Sequence, residues 1–158
     1  MLVAQYEKPI FNLALRMVSD ADDAADVTQN AFVKAYVRIN QYNPAYTFFS
    51  WIYRIAVNES LNLISRRKVR QNADIEPPPL PRTPEDEYRQ SEMGVFIQRA
   101  LEQMSVEHRV VIVLKHLLLL PYREIATILD LPEKTVKSRL FTARQVLRDR
   151  LVEQGYAR

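Results

Sequence analysis

The sequence predicts an all-α protein with two small helical domains joined by a flexible, proline-rich linker. Apolar side chains recur at spacings of three and four residues, as on one face of a helix, and no long segment alternates as a strand does. Glycine occurs only twice in 158 residues, too rarely for the tight turns of a sheet-rich fold. Five prolines within residues 75–84 exclude a helix interior there, so this run is the predicted linker.

Three helices are predicted before the linker. The first spans residues 5–18. The second follows Asp20 or Asp22, since either carboxylate could cap its N-terminus, and it ends near Ile39. The third covers residues 47–67, where apolar residues again recur at helical spacing. Together these helices are enough to form one small bundle.

Four helices are predicted after the linker, and the last two form a helix-turn-helix. Thr83 is a suitable N-cap for the first of the four, because a proline follows it at the first helical position. Asp130 lies in the turn between the last two and tolerates the left-handed conformation that glycine often adopts there. The predicted helices span residues 85–104, 106–119, 122–129 and 133–154.

The last helix has an apolar side and a basic side. Ile125 and Leu129 are placed to pack against Val136 and Leu140. Outside that contact lie Lys134, Lys137, Ser138, Arg139, Thr142 and Arg144. Residues 134–150 contain six Lys/Arg and one acidic residue, and such a helix suits the major groove of DNA. The alternative is an amphipathic hairpin whose basic side is simply solvated.

Aromatic residues are concentrated at the start of the third helix. Six of the fifteen aromatic residues lie within residues 42–53. The polar stripe Arg54, Asn58 and Asn62 follows, and then a basic run over residues 66–70. Rings beside cations suit single-stranded nucleic acid, and an asparagine amide can bond an adenine edge. Alternatively the apolar residues form core, as we expect for Phe48, Trp51 and Ile52.

Charge divides the chain at the same places. Residues 1–70 contain nine Lys/Arg and six Asp/Glu, residues 71–92 two and six, and residues 93–158 eleven and seven. The local net charges are therefore +3, −4 and +4, which sum to the total of +3. Two basic blocks flank an acidic connector, an arrangement that the total charge alone would hide.

Several classes of function are disfavoured. The chain has no cysteine and only two histidines, so a thiolate zinc site is excluded. No nucleophile–base pair or glycine-rich phosphate loop is present. We therefore expect no enzyme activity, no cofactor or metal, and no small-molecule substrate. No stretch approaches the about 20 apolar residues of a membrane span, and the N-terminus lacks a signal-peptide core, so we expect a cytoplasmic protein.

Three segments resemble the extracytoplasmic-function (ECF) sigma factors, group IV of the sigma-70 family. Residues 22–36 resemble the region 2 helix that binds RNA polymerase, and residues 49–58 resemble the segment that meets the −10 promoter element. Residues 122–144 resemble the region 4 helices that bind the −35 element. The similarity extends over nearly the whole chain, with the segments in the family's order. Each motif is moderately specific, and the three together are highly specific.

The resemblance implies a function and a domain organisation. The protein would bind core RNA polymerase, direct it to specific promoters and help open the DNA at the −10 element. Region 2 would span residues 1–70, the linker 71–84 and region 4 residues 85–158. An anti-sigma factor, expected to be membrane-associated, would hold the protein inactive at the inner face of the membrane. The alternative is a helix-turn-helix transcription regulator that is not a polymerase subunit.

The resemblance also implies which residues make contacts. The residues expected to bind the clamp helices of the polymerase's largest subunit are Asp26, Gln29, Asn30 and Phe32. The residues expected at the −10 DNA are Tyr42, Asn43, Tyr46, Arg54, Asn58, Asn62, Arg66 and Arg67. The residues expected at the −35 DNA are Lys134, Thr135, Lys137, Ser138, Arg139, Phe141, Thr142 and Arg144.

Three features depart from the family. Asn30 stands where an acidic residue is usual. Four leucines at residues 117–120 replace a short polar or glycine-containing connection. Exposed leucines there would meet the polymerase flap or a regulator, whereas buried ones would add core under a short loop. The helical residues that usually precede Tyr6 are missing, as expected of a truncated chain or of an unusually short form.

Overall fold

The computed structural model describes residues 2–72 and 92–155 and is all-α over these residues, which confirms the predicted fold class. Residues 71–72 of the expected linker 71–84 belong to the third helix, and the rest of that linker, with the Thr83 cap, lies outside the described residues. A 3-10 turn follows α2 at Ile39–Gln41, and a π-helical segment continues α5 at Val113–Leu117. The α-helices are α1 (Leu2–Val18), α2 (Ala21–Val37), α3 (Phe48–Asn72), α4 (Glu92–Gln103), α5 (Val106–Ile112), α6 (Tyr122–Leu129) and α7 (Glu133–Glu153).

Helices α1, α2 and α3 pack against one another and form the N-terminal group. Ile10 and Leu13 of α1, Val27 of α2 and Ile52 of α3 are almost fully buried in its core. Helix α2 begins at Ala21 because Asp20, in an extended conformation, accepts a hydrogen bond from the Asp23 backbone N–H at 2.8 Å. Of the two expected caps, Asp20 is therefore the one used.

Helices α4 to α7 form the C-terminal group, with α7 packed against the other three. Ile125 of α6 and Val136 and Leu140 of α7 are fully buried, as expected for a helix-turn-helix. Asp130 adopts the left-handed conformation at φ 55° and ψ 49°, as the sequence predicts. The Leu131 N–H donates to the Ala126 carbonyl at 3.0 Å, which satisfies a carbonyl at the end of α6.

The expected single helix over residues 106–119 is wrong in detail, because α5 widens into the π-helical segment. The Leu118 N–H donates to the Val113 carbonyl at 3.0 Å, five residues back. The side chains that follow therefore point in directions different from those in a regular α-helix. Leu118 and Leu120 consequently pack against the core, whereas Leu117 and Leu119 are 40% and 80% exposed. Two of the four leucines therefore add core, as one of the two expectations has it, and the other two are exposed.

The two groups pack together through the end of α1. The side chain of Gln98 on α4 donates to the Ser19 hydroxyl at 2.8 Å and accepts from Arg16 at 3.0 Å. Arg109 of α5 donates to the Met17 carbonyl. The buried apolar residues of both groups form a single continuous core. Within the described part of the chain, no helix is long and apolar enough to cross a membrane.

Candidate nucleic-acid and polymerase interfaces

Helix α7 displays most of the residues expected at the −35 DNA. Its opposite side is held in the core by Val136, Leu140 and Ala143, each fully buried. Two of the expected contact residues, Thr135 and Arg139, are half-buried. The other six are exposed: Lys134, Lys137, Ser138, Phe141, Thr142 and Arg144. The apolar spacing of α7 thus leaves a cationic and polar side open to a ligand.

Tyr122, at the first position of α6, lies next to two lysines. The Lys115 ammonium is 4.3 Å from the centroid of its ring and the Lys137 ammonium is 5.4 Å from it. Cations at these distances are attracted to the ring face, so Tyr122 orients Lys137 on α7. The sequence analysis missed Lys115 and Tyr122, because helical periodicity gives no signal for a contact made across the leucine loop.

Arg144 is also oriented by a neighbour. Its Nε donates to Nε2 of His116 in the π-helical segment at 3.0 Å. Burial, and then the charges of Arg144 and Lys115, lower the pKa of His116. The neutral imidazole that results is the form that can accept this hydrogen bond. Among the described residues, the Arg144 guanidinium makes no other side-chain hydrogen bond or ion pair, so its other donors are available to an anion.

The aromatic residues expected at the −10 DNA form a packed cluster beside the start of α3. The Trp51 ring lies 5.3 Å from the Tyr42 ring and 5.6 Å from the Phe48 ring, centroid to centroid. The Tyr42 hydroxyl donates to the Tyr46 carbonyl at 2.7 Å. These contacts fix the loop before α3 and leave the Tyr46 side chain 54% exposed. Ile52 is core as expected, whereas Phe48 and Trp51 pack against the core and remain partly accessible.

Another pair in the same cluster is more deeply placed. The centroids of the Phe49 and Tyr53 rings lie 4.2 Å apart, with the rings in an edge-to-face arrangement. Burial, together with nearby Tyr6, raises the pKa of Tyr53 to about 12, so its hydroxyl stays neutral. Tyr53 is 1% exposed and belongs to the framework of the cluster rather than to its accessible part.

One side of α3 presents a row of exposed polar residues at a spacing of four: Arg54, Asn58, Asn62 and Arg66. Arg67 is placed differently from its neighbours. It forms an ion pair with Asp23 of α2 and donates to the Val18 carbonyl at 2.6 Å. Asn43 is used within its loop, where its side-chain Oδ1 accepts from the Ala45 N–H at 3.0 Å. The row on α3 and the ring of Tyr46 are therefore accessible parts of the expected −10 surface.

Helix α2 presents the residues expected to bind polymerase. Asp26, Gln29 and Asn30 are exposed, whereas Phe32 is half-buried and packs against the core. A groove of about 700 Å³ lies between α1 and α2, with Gln29 and Phe32 in its lining. The sequence analysis missed the exposed apolar residues that continue this surface: Val33, Tyr36 and Val37.

Comparison with known families gives two matches in the order of the two helical groups. Residues 2–70 match the model of sigma-70 region 2, and residues 97–147 match the model of sigma-70 region 4. The relatives match over nearly the whole chain. The ECF sigma factor SigW of Bacillus subtilis is 32% identical, over 95% of this chain and 87% of its own length. The ECF sigma-E factor of Escherichia coli is 31% identical, over 93% and 83%.

Two solved structures have a similar fold. The sigma factor RpoE of Bartonella quintana, in complex with the anti-sigma factor NepR, superposes with a TM-score of 0.77 at 22% identity, over 94% of this chain and 93% of its own. CnrH, in complex with the cytosolic domain of CnrY, superposes with a TM-score of 0.71 at 23% identity, over 96% and 86%. At these identities the likeness supports the arrangement of the helices.

Proposed function

Since the chain belongs to the ECF sigma factors of the sigma-70 family, we propose that it binds core RNA polymerase, directs it to specific promoters and helps open the DNA at the −10 element. The main support is that one chain presents two exposed surfaces of different chemistry, a cationic one on α7 and a polar one beside aromatic rings on α3. A regulator that only binds duplex needs the first surface alone. The protein acts by binding, and the chemistry of RNA synthesis belongs to the polymerase.

The surface on α7 is proposed to recognise the −35 duplex. Lys134, Lys137 and Arg144 would meet phosphates, because ammonium and guanidinium groups neutralise the backbone irrespective of sequence. The short side chains of Ser138 and Thr142 would reach base edges in the major groove. Thr135, Arg139 and Phe141 would complete the contact at its edges.

The surface on α3 is proposed to hold bases of the opened −10 strand. Asn58 lies one helical turn after Arg54, so its amide can bond a base edge while Arg54 holds the adjacent phosphate. Tyr46 offers an exposed ring on which a base can stack. The neighbouring Tyr42, Asn43, Asn62, Arg66 and Arg67 would shape this site and its charge.

Polymerase docking is assigned to α2, and Gln29→Arg tests it. Gln29 is exposed beside the groove between α1 and α2, so a longer cation there should weaken binding to core polymerase by roughly tenfold or more. Gln5→Arg is the matched control, since Gln5 is exposed on α1 and does not line that groove. Equal affinities of the two folded variants would reject this docking surface.

Transcription by purified core polymerase tests the function as a whole. A library of promoters is transcribed with core enzyme alone and with the added protein. We expect promoter-specific transcripts only when the protein is present, since core polymerase lacks promoter recognition of its own. A helix-turn-helix regulator cannot replace the sigma subunit, so transcripts that require a second sigma factor would favour the alternative.

An anti-sigma factor is proposed as the regulatory partner, because the two similar solved structures are complexes with such a factor or with a partner's cytosolic domain. We place the protein in the cytoplasm, where DNA and polymerase are, with a membrane-associated partner whose cytoplasmic helices cover both DNA surfaces. Leu117 and Leu119 are exposed candidates for this contact. A complex that leaves the α3 and α7 surfaces both open would contradict the proposal.

A further inference from the structure

One contact on the surface of α7 depends on a group that can change its charge. The Arg144 Nε–H of α7 donates to Nε2 of His116, in the π-helical segment, at 3.0 Å. Both side chains are exposed, so water and DNA phosphates can reach them. A ring nitrogen accepts this hydrogen bond only in the neutral imidazole, because both nitrogens of an imidazolium carry protons. The contact between these two residues therefore requires an uncharged His116.

The charged groups that face His116 are cations. Its neighbour Lys115 has its ammonium against the Tyr122 ring and donates to the Leu120 carbonyl at 3.3 Å. Burial, and then the charges of Arg144 and Lys115, lower the pKa of His116. In the described part of the chain, no carboxylate forms an ion pair with His116. Protonation of His116 would therefore add a cation beside two others, with no paired carboxylate to offset it.

Charged residues on the other helices packed against the π-helical segment are engaged elsewhere. These helices are α1, α5 and α6. On α1, Arg16 donates to Gln98. On α5, Arg109 donates to the Met17 carbonyl, and on α6, Glu124 accepts from Ser50 of α3. The remaining charged residues described on these helices line other surface clefts: Glu7, Lys8, Glu107 and Arg123. The protonation state of His116 thus acts chiefly on Arg144.

We propose that His116 is a positioning residue for promoter recognition: its neutral imidazole directs Arg144 toward a phosphate of the −35 duplex, and protonation of His116 releases Arg144. The inference rests on the proposed DNA contact of α7. While His116 holds the Nε–H, the planar guanidinium keeps its other N–H groups in one orientation, so less side-chain freedom is lost when a phosphate binds. After protonation the two cations repel each other, and Arg144 loses this orientation.

The direction of the pH effect follows from the lowered pKa. His116 is neutral, and Arg144 is positioned, above the ordinary histidine pKa of about 6.5. The arrangement is lost as the pH falls through the lowered pKa of His116. The charge that protonation adds also attracts DNA, but it does so whether or not Arg144 is present. The factor by which Arg144→Ala weakens DNA binding therefore isolates the positioning effect.

The first experiment titrates the two histidines of the full-length protein by NMR, with His108→Gln to assign their signals. Arg144→Ala removes a cation that lowers the pKa of His116, so we expect this pKa to rise. Arg148→Ala is the matched control, since Arg148 is exposed one turn further along α7. A rise in the pKa of His116 that is no larger in Arg144→Ala than in the control would overturn the proposed contact.

The second experiment measures the affinity of the full-length protein for a labelled −35 duplex, at pH values about one unit above and below the measured pKa of His116. We expect Arg144→Ala to weaken binding roughly tenfold at the higher pH and roughly threefold or less at the lower pH. In His116→Gln, which keeps an acceptor that does not titrate, the factor should be large at both. In His116→Leu, which has no acceptor, it should be small at both.

Circular dichroism checks that each variant is folded, and His108→Gln, which alters the other histidine, should behave as the wild type does. If Arg144→Ala weakens binding equally at both pH values in the wild-type background, His116 does not position Arg144, and the DNA contact of Arg144 stands. If Arg144→Ala has no effect at either pH, that DNA contact is wrong and the proposal fails with it. Equal factors in His116→Gln and His116→Leu would also overturn the proposal.

Discussion

Arg109 is a buried cation whose hydrogen bonds, in the described part of the chain, go to backbone carbonyls. Its guanidinium donates to the carbonyls of Met17, Leu101, Glu102 and Met104, over distances of 2.5 to 3.2 Å. These carbonyls lie at the C-terminal ends of α1 and α4, where helices have unpaired acceptors and partial negative charge. Burial lowers the pKa of Arg109, whereas the charge of Glu102 acts to raise it. The carbonyl dipoles likewise favour the charged form. One side chain thus caps two helices from different groups.

We expect Arg109→Met to lower the free energy of unfolding by about 3 kcal/mol, because several buried carbonyls lose their donor. Arg109→Lys should recover only part of this loss, since an ammonium cannot match the planar spread of a guanidinium. Arg148→Met is the control, as Arg148 is exposed on α7. Urea unfolding of the three variants measures the free energies of unfolding. If Arg109→Met lowers this free energy as little as Arg148→Met does, water replaces the lost donors.

Asn58→Ala tests the single-strand surface at one residue. If its amide bonds a flipped base, the variant should form the closed complex with polymerase normally but lose about 1–3 kcal/mol in opening. A template with a pre-melted bubble at the −10 element should rescue it. Unwinding assays on duplex and bubble templates give the comparison. The variant should fold, because the Asn58 side chain is exposed and not required by the core. Equal defects on both templates would assign Asn58 a structural role.

The sequence predicts features that depend on one residue and its immediate neighbours. It does not predict contacts between residues that are far apart in the chain. The Asp20 cap and the left-handed Asp130 follow from the chemistry of short carboxylate side chains and their immediate neighbours. The role of Arg109 could not be predicted in this way, because its hydrogen bond to Met17 joins residues 92 positions apart. Arg67 is a similar case, since only the packing of α3 against α2 brings it to Asp23.

At the scale of elements, α7 combines recognition with packing along its length. Its side chains are oriented from outside the helix, Lys137 by the ring of Tyr122 and Arg144 by His116. His116 lies in the π-helical segment, and Tyr122 is the first residue of α6. The geometry of that segment therefore determines where the cations of α7 point, and a change in the loop can alter DNA binding without any contact to DNA.

Arg144→Ala should weaken binding to all duplexes by a similar factor. The slope of log affinity against log salt should fall in magnitude by about 1, as expected for the loss of one phosphate contact. Thr142→Ala should instead change the base preference with little effect on the salt slope. Titrations of full-length protein bound to core polymerase, on two −35 sequences at several salt concentrations, separate these effects. A salt slope unchanged in Arg144→Ala would exclude a phosphate contact.

The helix-turn-helix was the most predictable element. The boundaries of α6 match the predicted residues 122–129, and α7 ends within a residue of its predicted end. Helix α6 has strong apolar periodicity, α7 buries Val136 and Leu140 at a spacing of four, and the turn between them has clear local chemistry. The π-helical segment could not be predicted, because its apolar residues fit either helical form and only the core decides which of them are buried. The candidate contact residues on α7 and α3 stay predictions of function, although most of them lie together on exposed sides.

At the scale of the molecule, the two helical groups share one core. The sequence predicts two domains and a linker, and composition contains no signal for packing between them. The contact between α1 and α4 depends on the conformation of Ser19 and on the burial of Gln98. This union has a thermodynamic consequence, because groups that share buried surface unfold together.

We expect wild-type protein to unfold in one cooperative transition and Gln98→Ala to broaden or divide it. Gln98 joins α4 to Arg16 and Ser19, so its truncation weakens the contact between groups more than either group itself. Gln103→Ala, an exposed change on the same helix, is the control. Differential scanning calorimetry compares the calorimetric and van't Hoff enthalpies. If the ratio of the two enthalpies is the same in Gln98→Ala and Gln103→Ala, the Gln98 amide does not couple the unfolding of the two groups.

The contacts between the two helical groups join parts of one chain, as between Gln98 and Ser19 or between Arg54 and Asp130. Because both partners belong to one chain, their encounter has an effective local concentration that does not change with the amount of protein in solution. Dilution separates the copies of an oligomer, whereas it leaves contacts within one chain unchanged. The packing of the two groups should therefore be the same at every protein concentration.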